Sequence, residues 1–335
     1  MFFSLLFGGC QIVTSLLGNV NGKLAEADTA LKAGDLATAA AKYDEAVKAA
    51  PTNVDAASGA AYLKMLAGDY AAADALLAAA EPAAGARAGE VKLRRAVVAV
   101  RSGDVDKARE PALGSGLAAG KLLAGEVDLA NGERDAARAL LTEVQAEPGA
   151  IGAVASEYLR LMGDANPLVA GLSEAQALWA LGQRKVAVRS VEDLVKAYAE
   201  SAADGDEQVL IWAGRAATVG EPDVAFSLLD AIAVSPPGQA WRVQATRGIA
   251  LCASGQGDAC VQVFEGLANS APGDGYADAR LSAALAAVES APAAAQKLVE
   301  GMEGDNAARV LAALGDKSAA AGVAADPVFK SQLGG

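Results

Sequence analysis

One figure recurs along most of this chain. A small residue is followed seven positions later by a glycine and usually an acid, and five positions after that glycine comes another small residue. Gly34-Asp35 and Gly68-Asp69 lie 34 residues apart, and Gly103-Asp104, Gly132-Glu133, Gly163-Asp164, Gly220-Glu221 and Gly315-Asp316 repeat the turn at less regular spacing. A period of about 34 with helix-forming flanks predicts an array of helix-turn-helix hairpins, each burying its apolar face only against its neighbours. Alanine dominates the flanks and is the best helix former, since it loses no side-chain entropy on folding. Aromatic residues make up only 4% of the chain and alternating β-branched runs are almost absent, so no strands are expected.

Each part of the figure has a physical role. Two antiparallel helices joined by a tight turn approach closely only where their facing side chains are small. Glycine takes the positive φ that closes the first helix, and the acid after it caps the second and meets its positive end. Large aliphatics such as Leu36, Val47, Leu77, Leu141, Leu229 and Leu267 are expected to fill the seams.

The pattern resembles the tetratricopeptide repeat, most clearly over residues 22–51. There Ala27, Gly34, Asp35, Ala39, Tyr43, Ala46 and Pro51 fall at the family's small, turn, aromatic and proline positions, with Lys23 replacing the first large aromatic. Further small pairs follow at Ala61 and Ala73, Ala96 and Ala108, Gly125 and Ala137, Ala175 and Ala187, Ala213 and Ala225, and Gly248 and Cys260. The resemblance implies an all-α right-handed solenoid of about eight to ten antiparallel hairpins. It also implies a concave groove lined by the first helix of each hairpin, whose candidate contacts are Tyr62, Met65, Leu93, Arg101, Glu126, Arg160 and Trp179. Trp212 falls between helices and reads as core.

The register breaks once. From Gly163 to the next turn at Gly182 there is room for one helix, with Pro167 in its first turn or with Ser173 and Gln176 capping a shorter one. This divides an N-terminal block, 22–163, from a C-terminal block, 164–335. Residues 201–207 and 234–238 read as loops, and Asp326-Pro327-Val328-Phe329 as a cap over the last apolar face.

The first ten residues end in Leu6-Phe7-Gly8-Gly9-Cys10 and resemble the lipobox of bacterial lipoproteins. That likeness implies removal of residues 1–9, lipidation of Cys10 and a tether over 10–21. No Lys or Arg precedes the short apolar run. Cys252 and Cys260 lie on either side of a turn; in an exported protein such a pair forms a disulfide, and otherwise they are two small core thiols.

The chain contains no histidine, which removes the imidazole that Ser-His-Asp and Cys-His hydrolysis need. It has no phosphate-binding loop, dinucleotide fingerprint or cysteine quartet, so no cofactor, metal or catalytic residue is expected. A net charge of −13 disfavours nucleic acid as a partner. The exception is a basic stretch over 87–109, which reads as a solvated face or an anion-binding patch. The expected function is a non-enzymatic protein-protein scaffold, lipid-anchored in a bacterial cell envelope as an outer-membrane lipoprotein. The alternative is a soluble module that binds a peptide or small ligand.

Overall fold

The computed structural model describes residues 5–199, 206–232, 238–302, 310 and 314. Among these residues the protein is entirely helical. The elements, in order, are α1 (Leu5–Lys32), α2 (Leu36–Ala49), α3 (Val54–Leu66), α4 (Tyr70–Ala80), α5 (Ala88–Arg101), α6 (Arg109–Gly114), α7 (Ala118–Ala130), α8 (Arg134–Val144) and α9 (Ala150–Met162). They continue with α10 (Pro167–Ala180), α11 (Arg184–Ala197), α12 (Asp206–Thr218), α13 (Pro222–Ala231), α14 (Ala240–Ala253), α15 (Gly257–Leu267), α16 (Gly273–Ser290) and α17 (Pro292–Val299). Consecutive helices pair as hairpins, α1 with α2 through α7 with α8, and α10 with α11 through α16 with α17. Helix α9 stands alone between them. The helices form two compact units, one running through Arg160 together with Ala180–Gly182, the other comprising Leu161–Trp179 and the residues from Gln183 on.

The turns follow the expected chemistry. At Gly34 φ is +78°, and the equivalent glycines of the other hairpins adopt values of 75–85°. The Gly34 amide donates to the Leu31 carbonyl and the Asp35 amide reaches back to Ala30, satisfying carbonyls that the end of α1 would otherwise orphan. Asp35 and Asp69 then cap α2 and α4, accepting from the amides of Thr38 and Ala72. The expected capping fails further on. Asp104 precedes a 3₁₀ turn (Val105–Ala108), whose tighter winding carries the amides out of reach, and its carboxylate bonds Lys107 instead. Glu133 and Glu221 make no side-chain cap. The turn at Gly163 is held by side chains. There the Asp164 carboxylate accepts from the Asn166 amide, the Asn166 side chain accepts from the Leu168 amide, and Pro167 opens the single helix α10. Ser173 lies inside that helix, bonded to the Ala170 carbonyl, so it caps nothing.

Packing explains the small residues. Ala27, Ala39, Ala73, Ala96, Ala108, Ala137, Ala175, Ala187, Ala213, Ala225 and Cys260 have no exposed surface. A side chain on Gly248 would sit 2.8 Å from the Phe264 ring, and one on Gly125 3.3 Å from Leu141. Gly59 on α3 leaves the space that the Tyr43 ring of α2 occupies. Leu77, Leu141, Leu229 and Leu267 fill seams as expected, but Leu36 does not. It begins α2 just after the turn and is 37% exposed.

Helix α1 is longer than the repeat requires. Residues 10–21, expected as a tether, continue the helix of the first hairpin, and Val20 is buried with Ala46 and Ala56. Val20 and Leu24 are four residues apart, so the apolar stripe of the hairpin extends back along α1. Asp206 and Glu207, expected in a loop, open α12. The described residues do not include 201–205, most of 234–238, Gly315-Asp316 or the tail at 326–329. The second unit packs around buried Trp212, Leu228 and Phe264, and Cys252 is disulfide-bonded to Cys260 across the α14–α15 turn. No described helix is long and apolar enough to cross a membrane.

Candidate functional site

In the first unit, the first helices of successive hairpins present a half-open face. On α7 the partly exposed residues Ala119, Leu122, Glu126 and Ala130 follow one another at intervals of three and four, a single helical stripe. On α5 the corresponding stripe includes Leu93 and Val97 and ends at exposed Arg101. On α3 the expected contacts are less accessible. Tyr62 and Met65 are only 5% and 7% exposed, so in this conformation they pack inside the unit. The neighbouring Leu66 is 40% exposed and takes the open position. Arg160 is exposed at the end of α9, its guanidinium held by both oxygens of Glu157.

Glu126 is the unusual member. Its Oε1 accepts from the Tyr158 hydroxyl at 3.1 Å. Burial pushes its carboxyl up to about 7, against the opposing pull of that hydrogen bond. Tyr158 was not anticipated. It lies 32 residues beyond Glu126, close to one repeat length, and the same separation joins Arg87 to Asp55. Repeat-length spacing of complementary polar residues is the signal that finds such pairs.

In the second unit Trp179 is half-buried, edge-on to Trp212 with ring centroids 5.8 Å apart. The Arg215 guanidinium lies 4.9 Å from the Trp179 centroid and 4.3 Å from that of Trp212, and donates to the Gln176 side chain. Exposed Arg184 covers Trp179 at 5.5 Å. Two guanidiniums and one aromatic partner hold this indole in place.

The basic stretch over 87–109 is largely neutralised within the first unit. Arg87 bonds Asp55 and Glu90, Arg95 bonds Asp74 and Glu81, and Arg109 bonds Asp128. Burial pulls the Arg94 guanidinium below its ordinary value, with Glu90 opposing the shift. An open cavity of about 880 Å³ lies along α5 between α4 and α6, and its Arg95 and Lys107 are among the cations already paired. That leaves the half-open face as the stronger candidate for recognition. The Cys10 side chain lies outside the described residues, although the backbone there is helical.

No protein-family model matches the chain, and no curated protein matches it. Among solved structures, the crystal structure of the P58(IPK) TPR domain at 2.5 Å is similar over 93% of this chain and 99% of its own length, with 16% identity and a TM-score of 0.26.

Proposed function

We propose that the chain is a non-enzymatic interaction scaffold that binds a polypeptide along the first helices of its N-terminal unit. The observation that carries this reading is the half-open stripe on α5 and α7, where Leu93, Val97 and Leu122 are only partly covered and Glu126 adds a polar group. Apolar anchors at helical spacing with a few polar groups among them suit an extended peptide or a partner helix. A photo-crosslinking residue placed at Leu93 or Leu122 should give discrete adducts in the native host. The same residue at exposed Ala75 on α4 should give none. Equal labelling at all three positions, or none at any, would remove the groove.

The finer reading is that Cys10 carries lipid and holds the scaffold in a bacterial cell envelope, facing the periplasm or the surface. It rests on Leu6-Phe7-Gly8-Gly9-Cys10, and the oxidised Cys252–Cys260 pair fits an exported protein. A Cys10→Ser variant should move from the membrane to the soluble fraction with its helicity unchanged. If labelled fatty acid never enters the parent protein, the anchor is excluded and the soluble module remains.

A further inference from the structure

Several partly buried carboxylates among the described residues have cations beside them, and Glu126 on the half-open face does not. Asp128 holds Arg109, Glu81 holds Arg95, Glu192 holds Lys196, and Glu221 holds Lys185 and Arg189. Glu126 instead has a neutral hydroxyl. Tyr158 occupies Oε1, and Oε2 makes no hydrogen bond or ion pair. Glu126 nevertheless keeps part of its surface, one helical turn from half-exposed Leu122.

We propose that Glu126 is a seat for a cationic side chain, Lys or Arg, presented by the bound polypeptide between apolar neighbours. This rests on the groove reading above. Charge complementarity names the occupant. A partly exposed carboxylate with one oxygen fixed by Tyr158 and no cation beside it offers an oriented acceptor for an ammonium or guanidinium. Desolvation by the incoming chain strengthens that pairing.

The charged groups on the surrounding elements do not fill the seat. Arg94 of α5 is held by Glu90, Arg109 of α6 by Asp128, and Arg160 of α9 by Glu157. On α8, Glu143 takes Lys121 of α7. Arg101 of α5 and Arg134 and Arg138 of α8 are engaged in other interactions. Burial and Tyr158 alone set the titration of Glu126. In free protein near neutral pH, part of the population is therefore protonated there. Seating a cation favours the ionised form, so binding releases a proton and weakens as pH falls below about 7.

The test follows the Glu126 carboxyl carbon by NMR across pH, with ethylguanidinium as the probe and neutral ethylurea as its control. Saturating ethylguanidinium should lower the titration midpoint by about one unit, a tenfold preference of the cation for the ionised form. Ethylurea should leave it in place. A midpoint that ethylguanidinium does not move overturns the seat. Glu126→Gln keeps the Tyr158 hydrogen bond, and circular dichroism checks its fold. In this variant, adducts from the Leu122 crosslinker should fall several-fold and lose their pH dependence. If the adducts persist unchanged, the groove stands and the cation seat fails. If the midpoint moves but the parent gives no adducts, the seat stands and the groove reading fails.

Discussion

Arg109→Met tests how the first unit tolerates a charge in its core. Asp128 sits in α7 with no exposed side-chain surface, while Arg109 at the start of α6 keeps 41% of its own. The guanidinium Nε and Nη2 each donate to one carboxylate oxygen, a two-point pairing. Removing the arginine leaves a sealed carboxylate without a cation, a change that costs about 3–5 kcal/mol for a fully buried pair. The open side of Arg109 admits water to the vacated space, so the expected cost is about 3 kcal/mol. The reverse change is cheaper. In Asp128→Leu the guanidinium is free to turn toward solvent, and the loss should be about 1 kcal/mol. Replacing both should return the unit to within about 1 kcal/mol of the parent, because the desolvation penalty disappears with the pair. Urea unfolding followed by circular dichroism measures all four proteins, and amide exchange in α7 locates the loss within an array that can open locally. Equal costs for the two single variants, or a double variant equal to their sum, would refute the reasoning.

Other outcomes follow from close packing, burial and the disulfide. Gly248→Ala gains about 1 kcal/mol of helix propensity but drives a methyl to 2.8 Å from the Phe264 ring; the net loss should be about 1–2 kcal/mol, whereas Gly125→Ala, at 3.3 Å from Leu141, should be near neutral by thermal unfolding. Glu126 binds its proton more tightly in the folded state than at its ordinary 4.5, so stability should fall as pH rises from about 4.5 to about 7, by at most about 3 kcal/mol. Glu126→Gln should flatten that slope in denaturant melts taken across pH. Alkylation of protein from its native source under non-reducing conditions should modify neither Cys252 nor Cys260, as mass spectrometry would show; two free thiols would contradict the pairing.

Much of the fold was legible because the repeat couples local and tertiary constraints at the same residues. A small residue at Ala61 and one at Ala73 are needed only if two helices touch there, and Gly68 between them is needed only if the chain reverses. The single helix between Gly163 and Gly182 could be read from a count of residues alone. The acids after the turns were less legible. Asp35 and Asp69 cap, but Glu133 and Glu221 do not, because an added methylene carries the carboxylate past the helix amides. On α3, Tyr62 and Met65 are nearly covered, because an alanine-rich seam leaves space that large side chains enter. The polar pairs were missed for another reason. Glu126–Tyr158 keeps the repeat-length spacing, but Arg109–Asp128 joins different helices 19 residues apart, and no local pattern marks that pair.

The bond between Cys252 and Cys260 bears on how this array comes apart. In a chain of hairpins held only by nearest neighbours, unzipping starts at an end and advances one unit at a time. The sulfur bridge spans a loop of eight residues and staples α14 to α15. The Ser290 hydroxyl ties α16 to that staple by donating to the Cys252 carbonyl. Fraying that reaches α17 from the C-terminal side therefore meets a clasp two helices in. A protease working inward from that end should stall there while the bridge is intact and pass once it is reduced.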